Sequence, residues 1–361
     1  MNEIRKPKLV YCTTIMASFA RKDVELLSKE FEVVIHVFAP RTKLLTPWSL
    51  IRQFFFLLLH LPSAAVSVTQ FGGFHSFLPA LFGRVFKVPA IISLGGYDCA
   101  SFPSFRYGAH HRFPMGWMTR ASLRMANHLV PCSANLIHSE QHYSAAQGDP
   151  VHQGYKAFDP ANNTQYTVVA YGYDPERFKP SGARRSGSFL TVAQMNTPNF
   201  QRKGIDLFFA MADRFPQCHF TLVGNTPAMR YERVPENAEL IGFIPYEELP
   251  ALYARHEFYL QLSIWEGFPS APCEAMLCGC VPIVSKVAAL PEIVGDTGFI
   301  VEHRNVDELQ RTIEAALGSE SLRKGEAARK RIKDRYPLST RSRFSDLVFK
   351  AARSSEGSAQ S

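Results

Sequence analysis

The chain has 361 residues, which is long for one compact core and predicts two domains. Hydrophobic residues make up 46% and charged residues 20%, which is ordinary globular usage and excludes a disordered, collagen-like or coiled-coil chain. The net charge of +8 is concentrated at residues 322–353, which contain 11 Lys and Arg residues but only 3 Asp and Glu residues. The rest of the chain has 29 basic and 29 acidic residues and is neutral. A neutral body with one basic segment does not have the charge distribution of a nucleic-acid-binding protein, and no nucleic-acid partner is expected.

The first half of the chain alternates apolar, β-branched segments with helical ones. Strands are predicted at residues 8–15, 33–38, 64–69, 90–94 and 128–132, with helices at 21–29, 77–86 and 117–126. Strands that alternate with helices favour a parallel sheet covered on both faces.

The most apolar stretch runs from Trp48 to Leu61 and reads WSLIRQFFFLLLHL. It is shorter than the roughly 20 apolar residues that span a bilayer, and Arg52 interrupts it. The favoured interpretation is a buried helix with Ser49 as its N-cap. The alternative is a helix that enters one leaflet of a membrane.

The second half repeats the alternation after residues 179–188, which have the composition of a linker and follow a predicted strand at 166–171. Strands are predicted at 189–194, 219–223, 238–243, 258–262, 281–285 and 298–301, and helices at 204–215, 246–254, 272–277, 306–317 and 321–334. The sequence therefore predicts two Rossmann-like domains, residues 1–180 and 181–335. Ligands would bind beyond the carboxyl ends of their strands.

The segment that follows Leu262 is the most informative for chemistry. Glu266 lies in a loop with Gly267, Ser270 is a good helix N-cap, and Gly279 is suited to end the helix. Free backbone N–H groups at the start of this helix would form an anion site suited to phosphate. Glu274 lies one turn into the helix and is a second carboxylate near the same site as Glu266. Two carboxylates are unsuited to phosphate alone, so the pair indicates a ligand that carries hydroxyl groups as well as phosphate.

A basic pair, Arg202 and Lys203, is predicted to open the first helix of the second half. Cations are unfavourable at a helix N-terminus, so their presence there suggests a function. Arg202 and Lys203 could neutralise a bound diphosphate. The alternative, a surface basic pair, is favoured while the pair is considered alone.

Four segments together resemble retaining glycosyltransferases of the GT-B fold, specifically glycosyltransferase family 4: EGFPSAPCEAMLCGCVPIVS, LPEIVGDTGFIVE, RKGID and YGYDPERFKP. The signature of that family is two glutamates separated by seven residues, as in Glu266 and Glu274. The resemblance covers most of the chain and is strongest from Tyr171 to Glu302. It implies an α/β fold in which two Rossmann-like domains face each other across a cleft, with a C-terminal helix in residues 336–361 that returns to the first domain.

The resemblance also implies roles for individual residues. Glu274 would hold the ribose hydroxyls of a nucleotide sugar, Glu266 would contact the transferring sugar, and Lys203 would bind the diphosphate. The remaining donor-binding residues would be Arg202, Gln194, Gly242, Phe243, Ile244, Gly267, Phe268, Pro269, Ser270 and Ala271, with the amides of the last four near phosphate or sugar and the base near residues 242–244.

Two departures from the family pattern stand out. Gln194 occupies a position where members commonly have an arginine, so Lys203 and Arg202 would carry more of the diphosphate charge. Many members have a histidine after a strand of the first domain, where this chain has Gly95 and Gly96 followed by Asp98. Asp98 is a candidate catalytic residue, and a turn or cap role is an equal alternative.

The implied function is transfer of a sugar from a UDP-, GDP- or ADP-linked donor to a hydroxyl acceptor, with retention of anomeric configuration. The acceptor would be a glycan or lipid-linked molecule in polysaccharide, lipopolysaccharide or glycolipid assembly. No metal or other cofactor is expected, since the sequence has no Asp-x-Asp triplet. The alternative is a catalytically silent nucleotide-sugar-binding subunit of a transferase complex.

Seven cysteines without a C-x-x-C pair indicate free thiols and a reducing compartment. With no apolar signal segment at the N-terminus, we expect a cytoplasmic protein. Peripheral attachment to the inner face of the cytoplasmic membrane is a further expectation, with Tyr336–Arg353 lying near the apolar helix so that one face is both basic and apolar. The alternative is that the charge is solvated and the helix is core.

Overall fold

The first domain is built on a five-stranded parallel sheet of order β2-β1-β3-β4-β5. A computed structural model describes residues 6–144 and 149–358. The strands are β1 (Lys8–Thr13), β2 (Glu32–Val37), β3 (Val66–Gln70), β4 (Ala90–Leu94) and β5 (His128–Pro131), and the helices are α1 (Ser18–Leu27), α2 (Thr46–His60), α3 (Phe74–Phe86) and α4 (Met115–Met125). A short antiparallel pair, β6 (Ser139–Gln141) with β7 (Val151–Gln153), and helix α5 (Tyr155–Phe158) follow.

The second domain has a six-stranded parallel sheet of order β10-β9-β8-β11-β12-β13. Its strands are β8 (Arg185–Val192), β9 (His219–Val223), β10 (Ala238–Ile241), β11 (His256–Gln261), β12 (Val281–Ser285) and β13 (Phe299–Val301). Its helices are α6 (Thr197–Arg202), α7 (Ile205–Arg214), α8 (Leu249–Arg255), α9 (Ser270–Leu277), α10 (Leu290–Val294), α11 (Val306–Leu317) and α12 (Ser321–Arg335). The last helix is α13 (Ser342–Ser358).

Side chains of β1, an internal strand between β2 and β3, point alternately to the two faces of the first sheet, as the period of a strand requires. Leu9 and Tyr11 pack with Phe344 and Val348 of α13. Val10 and Cys12 pack on the opposite face, in a cluster that includes Leu57 of α2 and Phe82 of α3. Helix α13 therefore covers one face of this sheet, and α2 and α3 cover the other.

Two parallel sheets covered by helices are the predicted architecture, and most predicted elements lie within a few residues of the observed ones. One predicted strand, 166–171, is wrong as a regular strand. The segment is an extended strip along β5, where Leu129 donates its N–H to the Gln165 carbonyl at 2.8 Å and accepts from Thr167 at 3.0 Å. The predicted linker is too long, because β8 already begins at Arg185.

The C-terminal helix crosses back to the first domain. The Arg341 guanidinium, just before α13, donates two hydrogen bonds to the Asp23 carboxylate of α1, both at 2.8 Å, and a third to the Val169 carbonyl at 3.0 Å. The expectation that residues 336–353 lie near the apolar helix is wrong, because α13 and α2 cover opposite faces of the first sheet.

Helix α2 corrects a second expectation. It begins at Thr46, with Pro47 in its first turn, so Ser49 is inside the helix and is not its N-cap. Only Gln53 and Leu57 of its residues are buried. The interpretation of a buried helix is therefore wrong, and one side of α2 is an exposed apolar face, which consists of Trp48, Ile51, Phe55, Leu58 and Leu59.

With the short turns on either side, α2 forms a helical segment of 21 residues, Lys43–Ser63, with a mean hydropathy of 1.3. By length and composition alone it is the one helix within residues 6–144 and 149–358 that could cross a membrane. Its other side is tied to the domain, since the Gln53 amide donates to the His75 carbonyl at 2.8 Å and Phe54 packs edge-on against Phe82.

Three arginines of the basic segment make internal contacts. Arg329 donates hydrogen bonds to the carbonyls of Phe178 and Leu277, and Arg331 donates to those of Glu292 and Ile293. Together with the buried Arg341, these contacts reduce the number of basic groups free to face a ligand. Three of the eleven basic residues of this segment thus have structural roles, in closing the second domain and in joining it to the first.

Candidate active site

The two domains meet through loops that follow β4 and β5 in the first sheet and β11 in the second. The indole N–H of Trp265 donates to the Gly96 carbonyl at 3.0 Å, and the Ser133 hydroxyl donates to the Gly267 carbonyl at 3.2 Å. A Cβ on Gly267 would overlap the carbonyl of Gly95, and Gly96 has a φ of 129°. Glycines at these positions allow the two backbones to touch and bring the carboxyl ends of both sheets together.

Lys203 and Glu266 form an ion pair at this junction. The ammonium of Lys203 donates to Glu266 Oε1, and the Gln261 amide donates to the same oxygen at 3.0 Å. The side chains of Lys203 and Glu266 are only 18% and 13% exposed. The structure thus brings together a candidate diphosphate-binding cation and a candidate sugar-binding carboxylate.

Burial and charge act in opposite directions on this pair. Burial would raise the pKa of the Glu266 carboxyl, but the positive charges of Lys203 and Arg202 hold that pKa below its usual value. Burial lowers the pKa of Lys203 in spite of the attraction of Glu266. Glu266 is therefore a carboxylate at neutral pH and can accept hydrogen bonds from sugar hydroxyls.

Arg202 and Lys203 are not at a helix start, as the sequence predicts, but at the C-terminal end of the short helix α6. Cations there are favourable for the helix dipole, so the predicted misfit does not exist. The Arg202 guanidinium lies 4.5 Å from the centroid of the Tyr107 ring of the first domain, and its Nε donates to Asn199 Oδ1 at 2.9 Å. Arg202 therefore contributes to the domain contact as well as to the positive potential beside Glu266.

Helix α9 directs its N-terminus toward the same junction. Its N-cap residue is Pro269, so the prediction of Ser270 as N-cap is wrong: Ser270 is the first residue of the helix. The Ser270 hydroxyl accepts from the Tyr173 hydroxyl at 3.3 Å, and Phe268 is buried against Tyr173 and Tyr336. No side chain caps this end of α9, so the backbone amides at residues 268–271 can donate hydrogen bonds to a ligand.

Glu274 lies inside α9 in a pocket of hydroxyl groups and is 4% exposed. Its carboxylate accepts from Tyr246 at 3.2 Å and from Tyr253 at 3.4 Å. Lys22 of α1 reaches across from the first domain and donates to the Tyr246 hydroxyl at 3.2 Å. Burial raises the pKa of Glu274 above its usual value, against the opposing effect of Lys22 and the two tyrosines.

The remaining predicted donor-binding residues lie at the edges of the second domain. Gln194 follows β8 with its side chain exposed, and its carbonyl accepts from the Asn199 amide at 2.6 Å. Gly242, Phe243 and Ile244 follow β10, and the Phe243 ring is 87% exposed. An exposed aromatic ring next to bare backbone is a suitable surface for a nucleotide base.

Asp98 does not face the cleft. Its buried carboxylate accepts hydrogen bonds from the backbone N–H groups of Gly72 at 2.9 Å, Gly95 at 3.1 Å and Gly96 at 2.8 Å. This corrects its candidate role as a catalytic group, because both oxygens are occupied by the chain itself. Asp98 is a positioning residue that ties the loop after β3 to the loop after β4.

Sequence reasoning missed the neighbours of both glutamates. Lys22 and Tyr246 lie far from Glu274 along the chain, and nothing in their local sequence marks them. Gln261, at the end of β11, directly precedes the recognised segment and could have been found from its position at a carboxyl edge. Within residues 6–144 and 149–358, no group of three or more His, Cys, Asp or Glu residues is arranged to hold a metal ion.

Two Rossmann-like domains that meet at the carboxyl ends of their strands define a GT-B architecture, and similar solved structures confirm it. Sucrose-phosphate synthase from Thermosynechococcus elongatus has a TM-score of 0.73 at 16% identity, over 97% of this chain and 100% of that chain. HepE from Anabaena, solved in complex with UDP-glucose, has a TM-score of 0.64 at 14% identity, over 96% and 100%. At these identities the likeness establishes the fold.

The model of the family described as Glycosyl transferases group 1 matches residues 190–334, which make up most of the second domain. This match confirms the resemblance that the two-glutamate segment indicates. O-antigen chain mannosyltransferase B from Escherichia coli is 38% identical over 89 residues, which are 25% of this chain and 23% of that protein. The chain spans less than half of the length of the curated relatives that it matches.

Proposed function

We propose that this protein is a retaining glycosyltransferase that moves a hexosyl group from a nucleotide sugar to a hydroxyl acceptor in glycan or glycolipid assembly. The observation that carries the proposal is the position of the Lys203–Glu266 pair and Glu274 at the carboxyl edge of a Glycosyl transferases group 1 domain. A cation, an uncapped helix end and two carboxylates match the phosphates and hydroxyls of a nucleotide sugar.

The donor would lie along the second domain from Phe243 to Glu266. The base would stack at residues 242–244, and the ribose would replace Tyr246 as the hydroxyl partner of Glu274. The diphosphate would reach Lys203 and the amides of residues 268–271, and the transferred sugar would bond to Glu266. HepE binds UDP-glucose, which supports a nucleotide-sugar donor here, and UDP, GDP and ADP derivatives are the donors to be tested.

Catalysis would consist mainly of stabilising the leaving group. The nucleoside diphosphate leaves with additional negative charge on its terminal phosphate, which Lys203 and the amides at the start of α9 would neutralise. Retention would follow if the acceptor hydroxyl attacked from the face of the leaving phosphate. The acceptor oxygen would bond to the anomeric carbon, the C–O bond to phosphate would break, and a phosphate oxygen would take the acceptor proton. These groups supply the stabilisation from the chain itself, so we propose a reaction without a metal ion.

We also propose that the protein works in the cytoplasm, attached peripherally to the inner face of the membrane. The exposed apolar face of α2 supports this, with the Phe55 and Leu59 side chains 64% and 73% exposed. A soluble surface rarely leaves so many adjacent apolar side chains in water. The internal hydrogen bonds of Arg331 and the burial of Arg341 argue that α2, rather than the C-terminal charge, makes the main contact.

The experiment is a donor panel. The purified full chain is incubated with UDP-, GDP- and ADP-linked sugars, and release of each nucleoside diphosphate is measured with Glu274→Ala as the control. Release from one donor class by the wild type alone supports the proposal, and the anomeric configuration of a transferred product, read by NMR, tests retention. A protein that binds a donor without releasing the diphosphate in the presence of acceptors would instead be a silent binding subunit, an alternative favoured by the neutral Gln194.

A further inference from the structure

A large cavity lies in the first domain at the carboxyl edge of its sheet. Its volume is about 1180 Å³, it is open to solvent, and it is lined by the loops after β1, β2, β3 and β4, by the start of α2 and by the segment that leads into α4. Small-molecule sites typically enclose about 300–1000 Å³, so this cavity has room for a molecule larger than a single sugar.

The cavity opens beside the domain junction. Tyr97 forms one wall and packs edge-on against Tyr107, with ring centroids 5.3 Å apart, and Tyr107 contacts Arg202 of the second domain. Gly72 forms another wall and is held by Asp98, the residue that also fixes Gly96 against the second domain. A molecule in the cavity therefore lies next to the loops that reach the Lys203–Glu266 pair.

The walls are predominantly apolar. Six of the residues that carry this character come from six different loops and helices: Phe38, Leu50, Phe71, Phe74, Phe113 and Met118. Phe113 lines the cavity and is 90% exposed. The lining also includes the hydrogen-bonding side chains Thr14, Thr42, Thr46, His75 and Tyr97. Apolar walls together with a few such groups suit a molecule that has both a sugar and a hydrocarbon part.

The charged residues of the lining are all positive. Arg41, Lys43 and Arg112 line the cavity, and its 21 lining residues include no Asp or Glu. Arg41 and Lys43 are exposed and have no ion-pair partner within residues 6–144 and 149–358. Arg112 is held by hydrogen bonds to His111 at 2.9 Å and to the Arg106 carbonyl at 2.8 Å. Three cations without a counter-charge complement an anionic group such as phosphate.

The apolar lining is continuous with the exposed apolar face of α2. Pro47 and Leu50 line the cavity from the first turns of α2, and Trp48 and Ile51, their neighbours in the chain, are 59% and 46% exposed on the outer side of the same helix. A hydrocarbon chain could leave the cavity along this face without crossing a polar surface.

We infer that this cavity is the acceptor site and that it takes an amphiphile: a sugar joined through phosphate or diphosphate to a long hydrocarbon chain. The phosphate bonds to Arg41, Lys43 and Arg112, the hydrocarbon lies against Leu50 and Met118, and the sugar extends toward Tyr97 and the domain junction. This inference rests on the proposed function and names the class of its acceptor.

The test is calorimetric titration of the full chain with farnesyl diphosphate, a water-soluble amphiphile, and with inorganic diphosphate. Farnesyl diphosphate should bind more tightly than inorganic diphosphate. The double variant Arg41→Ala/Lys43→Ala should weaken that binding by about tenfold or more, since hydrogen bonds to charged groups are among the stronger ones. Leu50→Glu should weaken it as well, while Arg311→Ala, an exposed arginine on α11, should leave it unchanged.

The donor site also binds diphosphate in the proposed function, so the titration is repeated with Lys203→Ala. Farnesyl diphosphate should still bind that variant with its full affinity at the first-domain cavity. Binding that disappears with Lys203→Ala and survives Arg41→Ala/Lys43→Ala would overturn the inference. Equal affinity for inorganic diphosphate would also overturn it, because the hydrocarbon would then contribute nothing. Release of nucleoside diphosphate from the donor panel tests the proposed function separately.

Discussion

The ammonium of Lys203 and the carboxylate of Glu266 are paired with each other at the point where the two domains meet. Both side chains are largely buried, so each neutralises a charge that would otherwise be isolated from water. A nucleotide sugar would present a diphosphate to the cation and hydroxyl groups to the carboxylate. The pair therefore has the two charges of the proposed donor site ready before any donor binds.

We expect Lys203→Ala to lower the affinity for the nucleoside diphosphate by about tenfold or more, because one hydrogen bond between charged groups is lost and the neutral Gln194 cannot replace it. Titration calorimetry with the nucleotide measures this directly. Lys286→Ala is the matched control, since Lys286 pairs with Glu302 at the surface, where its side chain is 54% exposed. Unchanged affinity in Lys203→Ala would remove Lys203 from the site.

The same variant leaves Glu266 without its partner, so the affinity loss has to be separated from a loss of stability. Removing one member of a buried ion pair costs about 3–5 kcal/mol, and less where the pair is partly exposed. The double variant Lys203→Ala/Glu266→Gln should recover much of that stability in urea unfolding. It should not recover nucleotide affinity, because the charge that binds phosphate is still missing.

Glu274→Ala should reduce release of nucleoside diphosphate by about 10²-fold or more, because two hydrogen bonds from the ribose to a charged group are lost. The protein should remain folded, since burial raises the pKa of Glu274 and the ionised carboxylate is therefore an unfavourable group for the fold alone. Initial rates and a thermal melt check both statements. The control is Glu326→Ala, an exposed glutamate on α12. Full activity in Glu274→Ala would refute the assignment.

The local sequence was sufficient for the strand–loop–helix that carries Glu266 and Glu274, because glycine, proline and the end of an apolar run mark its boundaries. It was insufficient wherever distant segments meet. Lys22 acts on Glu274 only because the domains face each other, and no pattern around Lys22 indicates this. The apolar run in α2 illustrates a different limit: a helix with apolar side chains all round has the same composition whether a protein core or another surface covers it.

We expect the protein to lose stability as the pH falls from about 6.5 to about 4. Burial, with a smaller contribution from Arg52, lowers the pKa of His36 to about 4, and burial lowers that of His110 to about 4. An unfolded chain protonates these histidines near 6.5, so in this window the unfolded state binds more protons and is favoured. Urea unfolding at neutral and acidic pH should show the loss. His110→Gln should make it smaller, and an identical pH dependence in that variant would contradict the assignment to His110.

Arg341 should be a major source of stability for the returning C-terminal helix. Its guanidinium pairs with Asp23, which is 0% exposed, and lies 4.6 and 4.2 Å from the ring centroids of Tyr171 and Phe344. Arg341→Ala should lower the free energy of unfolding by about 3–5 kcal/mol, because Asp23 keeps its buried charge without a partner. The exposed neighbour Arg343 supplies the control, Arg343→Ala. Equal urea midpoints for the two variants would show that the pair is not a principal attachment.

The last prediction concerns which surface meets the membrane. If the exposed apolar face of α2 makes the contact, Phe55→Glu/Leu59→Glu should abolish sedimentation with phosphatidylglycerol vesicles. Transfer of one such side chain out of water contributes about 1.5–3 kcal/mol, so losing two changes binding by orders of magnitude. Lys330→Glu/Lys333→Glu on α12 changes more charge, yet it should have a small effect, because α12 belongs to the second domain and Lys330 is already paired with Asp334. The opposite ranking, with the α12 variant alone remaining in the supernatant at low salt, would assign membrane binding to the basic segment instead.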